Sequence, residues 1–197
     1  MKKFFQLSIM LLGLSSIAVA NTGFPSISLK HVPSEKKVTL SIDGLKENNT
    51  IILQDENGAV LLREETKGKT SFAKLLNLSN LPAGNYYLRV KSSLKEVVQP
   101  ITLTDEEAIV NSDRQREFFA PVIKAQSGYL DISLFNNRIS NVEVTILDQK
   151  DNVVFTESLQ NVVIVQKRYN LNQLHWGTYT VQLRTPEQVY QQQFSIR

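Results

Sequence analysis

Residues 80–90 read NLPAGNYYLRV, and residues 173–183 read QLHWGTYTVQL. Both hold one frame: Leu, two residues, Gly, one residue, Tyr, then alternating apolar positions. Leu81, Gly84 and Tyr86 supply the frame first, and Leu174, Gly177 and Tyr179 supply it again 93 residues later. Tyr86, Leu88 and Val90 fall on one side of an extended chain, while Tyr87, Arg89 and Lys91 fall on the other. That is the period of a half-buried strand. A Gly just before it takes backbone conformations closed to residues with a Cβ. The frame reads as a loop turning a corner into a strand.

The same shift of 93 also lays residues 52–64 (ILQDENGAVLLRE) on residues 145–157 (TILDQKDNVVFTE) without a gap. Leu53 meets Ile146, Asp55 meets Asp148, Val60 meets Val153 and Glu64 meets Glu157. Upstream, VTLSI at 38–42 matches LDISL at 130–134 with the shift reduced by one. Agreement over several strands, with Gly and Tyr in step, indicates a tandem duplication. Its period is too long for a solenoid unit and has the size of a small domain.

Each half is expected to hold seven short strands. In the first they fall near residues 26–30, 37–43, 50–55, 59–64, 71–78, 86–91 and 96–103. Asp55-Glu56-Asn57-Gly58 punctuates them with a hairpin turn. Seven alternating strands at this spacing predict an all-β protein of two tandem antiparallel β-sandwiches. The domains are expected at 21–104 and 119–197. Residues 105–118 between them read as a linker or a short helix, because Thr104 and Glu107 have capping-box spacing.

The opening MKKFFQLSIMLLGLSSIAVA (residues 1–20) has the pattern of a cleavable signal peptide: Lys2 and Lys3, a short apolar core, then Ala18-Val19-Ala20. Its core is too short to span a bilayer, and no later segment is apolar enough to span one as a helix. An exported protein is expected, in the periplasm, at the cell surface or outside the cell. The chain has no Cys, which removes disulfides, thiol catalysis and Cys-zinc sites. Without Lys2 and Lys3 the formal charge falls from +3 to about +1. No basic excess of the kind a nucleic-acid binder needs remains.

In a sandwich, the corner frame has a packing role. Tyr86 and Tyr179 are expected to bury their rings and return their hydroxyls to a backbone group of the corner, with Leu81 and Leu174 plugging the sandwich edge. LPAGNYYLRV thereby resembles the corner and following strand of fibronectin type III and immunoglobulin-like modules. Residues 142–197 resemble the C-terminal sorting domain of type IX secretion cargo. The match lies in VEVTILDQKDNVVF, LNQLHWGTYTVQL and a closing QQQFSIR. That resemblance implies a secretion substrate whose second domain is the sorting signal. The two-domain plan with a signal peptide also resembles periplasmic pilus-assembly chaperones.

No residue set points to catalysis. His31 and His175 have no partners at ligand spacing, and the turns at Asp55 and Asp148 offer too few oxygens for a calcium site. No catalytic, cofactor or metal residues are expected, and no enzyme. The expected function is binding, adhesion or structure, with a protein or glycan partner. The copies differ where Pro82-Ala83 in one is His175-Trp176 in the other, which makes His175 and Trp176 the candidate contact loop.

Overall fold

The computed structural model describes residues 25–197. The signal-peptide pattern at residues 1–20 lies outside them. The chain is all-β and antiparallel, and the two halves fold as two sandwiches with separate cores.

In the first module, β1 (Ser26–His31), β2 (Lys37–Asp43) and β5 (Ser71–Asn77) form a three-stranded sheet. It faces a second sheet in the order β4 (Val60–Glu65), β3 (Thr50–Asp55), β6 (Gly84–Lys91) and β7 (Lys95–Leu103). This three-on-four arrangement is that of an immunoglobulin-like sandwich. Alternation dictates what is buried. Val38, Leu40 and Ile42 of β2 meet Leu53, Leu88 and Ile101 of the facing sheet, while Thr39, Ser41, Tyr87 and Arg89 stay partly in water.

Residues 105–118 form neither a free linker nor the helix expected from Thr104 and Glu107. The Thr104 Oγ1 does accept the Glu107 N–H at 3.0 Å, but the Thr104 N–H donates to the Glu107 carbonyl at 2.9 Å. That pair closes a hairpin turn into β8 (Ala108–Val110), which is antiparallel to β7. A single 3₁₀ turn (Ser112–Arg114), capped by Asn111, then leads into β9 (Arg116–Phe119), which also pairs with β7. Extended pairing wins because β7 offers a free edge, and Ala108 and Phe118 bury themselves by using it. Phe119, expected to open the second domain, ends β9 instead, and the second module begins with β10 (Val122–Gln126).

The second module keeps the plan with fewer breaks. β11 (Tyr129–Leu147) runs through the positions of β2 and β3, and β12 (Val153–Asn170) runs through those of β4 and β5. The two form one long hairpin whose register shifts around Phe135, Ser140 and Val142. Buried Asn136 holds this bend, its Nδ2 donating to the Ser140 and Val162 carbonyls at 3.0 and 2.7 Å. β13 (Gly177–Arg184) and β14 (Val189–Ile196) complete the sheet.

The modules meet at the β9 end. Phe119 packs on Phe135 with ring centroids 5.1 Å apart. Glu187, in the β13–β14 turn, accepts from Arg116 of the first module at 2.8 Å and from Arg138 of the second at 3.2 Å. Gln188 donates to Glu96 at 3.2 Å.

Candidate functional site

The two corners are built alike. In the first, the Leu81 N–H donates to the Leu78 carbonyl at 3.0 Å, and the Tyr86 hydroxyl donates to the Pro82 carbonyl at 2.9 Å. In the second, the Leu174 N–H donates to the Leu171 carbonyl at 2.9 Å, and the Tyr179 hydroxyl donates to the His175 carbonyl at 2.9 Å. Both Tyr rings are buried, and Leu81 and Leu174 pack against their cores. Gly84 and Gly177 have φ of 156° and 158°, a region that side chains avoid. A Cβ there would find space, with Tyr86 or Tyr179 no nearer than 3.8 Å, so the backbone and not crowding selects Gly. The fold thus engages Leu81, Gly84, Tyr86, Leu174, Gly177 and Tyr179 in packing.

The contact-loop residues form the outer side of the second corner, where the His175 carbonyl takes the Tyr179 hydroxyl. His175 and Trp176 are exposed, Trp176 at 85%. Trp176 stands at the wall of an open cleft of about 420 Å³ at one end of the second module. Leu171 and Leu174 line its inner side, and Ser195 and Ile196 of the last strand, with Arg197 after it, line another. The β10–β11 turn closes it, with Gly128 (φ 78°) lying under the Asn172 amide. A Cβ on Gly128 would stand 2.3 Å from Asn172 Oδ1 and push that amide aside, and the positive φ itself favours Gly here. His31 ends β1 on the far module and shares nothing with His175.

The acidic turns are engaged with their own backbone. Asp55 Oδ1 accepts the N–H groups of Asn57 and Ala59 at 2.9 and 2.8 Å. Asp148 Oδ1 accepts those of Lys150 and Asn152 at 2.7 and 2.9 Å, and the Asn152 side chain adds a bond to Oδ2 at 2.9 Å. That side-chain bond, followed by the backbone ones, holds the Asp148 carboxyl below its ordinary range. Asp131 is lowered likewise by the two-pronged Arg168 guanidinium, at 2.6 and 2.8 Å. Glu157 is lowered by Lys167 and by the Tyr169 hydroxyl, at 2.6 and 2.7 Å. Among the described residues no group of three His, Asp or Glu side chains is placed to hold a metal ion. No described helix is long and apolar enough to cross a membrane.

Sequence reasoning missed Glu187 with Arg116 and Arg138, the charges at the junction. A signal existed in the repeat: Pro186-Glu187 stands where the first copy has Ser93-Leu94. It also missed the open edge of β14, because both copies of that strand read alike.

A family model described as a secretion system C-terminal sorting domain matches residues 32–104 and again 126–197. It therefore covers both modules, where the sequence resemblance had reached the second alone. No curated protein matches the chain. Among solved structures it is similar to the BSP domain of a biofilm-associated protein, at 17% identity and TM-score 0.29, covering 88% of this chain and 29% of that one. It is also similar to a two-domain fibronectin type III segment of chicken tenascin, at 8% identity and TM-score 0.32, covering 87% and 99%. The human OSCAR ligand-binding domain shares 12% identity at TM-score 0.27, with 88% and 100% covered.

Proposed function

This chain belongs to the secretion system C-terminal sorting domain family, and from that premise we propose that it is a type IX secretion substrate whose second module is the sorting signal. The observation that supports this reading is the family match over residues 126–197; the first module matches as well, over residues 32–104, but its last strand β7 is covered by β8 and β9, whereas β14 lies at the end of its sheet. The first module acts as the passenger, a non-enzymatic binding or adhesion domain delivered to the cell surface or beyond. Its role is recognition, since the strands' chemistry goes into packing and the turn carboxylates into their own backbones. The second module suits the role of signal because it presents more exposed apolar surface than the first. Val153, Val154 and Phe155 of β12, with Trp176 at the corner, are all exposed.

Deletion tests the division of labour. A chain ending at residue 119 keeps the whole first module with β8 and β9. In a host with the type IX machinery it should accumulate inside the outer membrane, while the full chain reaches the surface. Surface display of the truncated chain at the full-length level would refute the reading.

A further inference from the structure

The modules also differ at the outer edge of their last sandwich strand. In the first, β7 is covered: β8 pairs at Ile101, Thr102 and Leu103, and β9 pairs at residues 95–98. Ala108 of β8 is fully buried in the first core, with Val110 packed against it. The Ala108 N–H donates to the Glu35 carbonyl in the β1–β2 turn at 3.0 Å, and the Glu107 carboxylate accepts the Ser34 N–H at 3.3 Å. The β8 strand thereby closes the seam between β7 and the β1–β2 turn.

In the second module the counterpart of β7 is β14, which lies at the end of its sheet. Phe194, Ser195 and Ile196 occupy the positions of Ile101, Thr102 and Leu103. Among the described residues no strand pairs with their outer side. The cleft beside Trp176 lies where β8 lies in the first module, between the end of β14 and the turn joining the first two strands. Leu171 and Leu174 face it in the places of Leu78 and Leu81.

We propose that the free end of β14 and this cleft bind an extended polypeptide segment of a partner protein, added antiparallel at residues 194–196. The segment carries a small apolar residue that enters the cleft as Ala108 does in the first module, preceded by an acidic residue facing Arg197. Strand addition satisfies main-chain groups along an edge while alternate side chains fill pockets. The bond from Thr104 N–H to the Glu107 carbonyl fixes the alternation on β7, so the Thr102 N–H and C=O face β8. Those of Ser195, its equivalent, face outward. A sugar would stack on Trp176 and leave that edge unpaired, whereas a strand uses both. Binding of this kind is a property of the folded chain and does not depend on its route of export.

The probe is a synthetic peptide of residues 105–119, DEEAIVNSDRQREFF, added to the full mature chain. The chain's own copy stays on β7, favoured by its tether. Trp176 is the only Trp, so its emission reports the cleft. We expect a saturable blue shift and slowed amide exchange at Ser195. Ser195→Pro should weaken binding about tenfold or more, because Pro removes the outward N–H that an edge strand can spare. Gln193→Pro should leave binding intact, since β7 carries Pro100 at that position. If Ser195→Pro fails to fold by circular dichroism, the peptide N-methylated at its Ile must lose binding to the unaltered chain. The proposal is overturned by no saturable change up to about 1 mM peptide, or by undiminished binding of the N-methylated peptide. An oligosaccharide that shifts Trp176 emission while the peptide leaves Ser195 exchange unchanged also overturns it.

Discussion

Tyr86 and Tyr179 each bury a ring and send a hydroxyl to the carbonyl four residues back, at 2.9 Å in both cases. A Phe in either place keeps the ring and orphans that carbonyl. Each single replacement should therefore cost about 1 kcal/mol, measured by urea unfolding of the full chain. Equal stability of Tyr86→Phe and the parent would show the bond to contribute nothing. The corner was legible in sequence because Gly and Tyr have few reasons to recur in step other than backbone and packing. His175 and Trp176 were legible only as a difference between copies. What surrounds Trp176 was not, since the cleft depends on the β10–β11 turn and on β14, which are far away in sequence.

Strand positions in the first module followed from alternation almost residue by residue. The strands expected at 37–43 and 50–55 are β2 and β3. Two elements did not follow. Thr104-x-x-Glu107 is compatible with a helix start and with a hairpin turn, and only the vacant edge of β7 decides between them. The merging of strands into β11 and β12 depends on Asn136 reaching across to Val162, a contact that periodicity does not encode. That long hairpin is also tied by ion pairs. Asp131 with Arg168 joins β11 to β12, while Glu157 with Lys167 and Tyr169 ties the two ends of β12 together. With Asp148, these carboxyls titrate below their ordinary range in the folded state. Their folded pKa values are depressed, so their contribution is present above about pH 4 and is lost as pH falls through the folded values. Urea unfolding of the second module should show a midpoint that falls below about pH 4 and is flat above it, up to neutrality. Glu157→Gln should flatten part of that fall. A midpoint independent of pH between 3 and 6 would contradict the assignment of these bonds.

At the scale of the molecule, two copies of one sandwich have been held together by different means from those that hold each of them. Each core is sealed by alternating apolar strands, while the junction uses the Phe119–Phe135 contact and Glu187 between two Arg side chains. Tyr190, in the same region, has its hydroxyl pKa pushed up to about 12, by burial first and by Glu96 second. Glu187→Ala should change stability by less than about 1 kcal/mol, since these ion pairs are partly exposed. It should instead loosen the modules relative to one another. Residual dipolar couplings should give one alignment frame for both modules of the parent and two frames for the variant. Two frames already in the parent would contradict a fixed junction.

The proposed division of labour requires that the second module suffice to route a passenger to the cell surface. Its most direct test is a graft. Residues 120–197 are placed behind an unrelated signal-bearing fluorescent protein in a host with the type IX machinery, and surface fluorescence is compared with that of the same passenger carrying residues 25–119. Surface delivery is expected with the second module and retention with the first. Equal retention of both fusions, each shown to be folded, would contradict it.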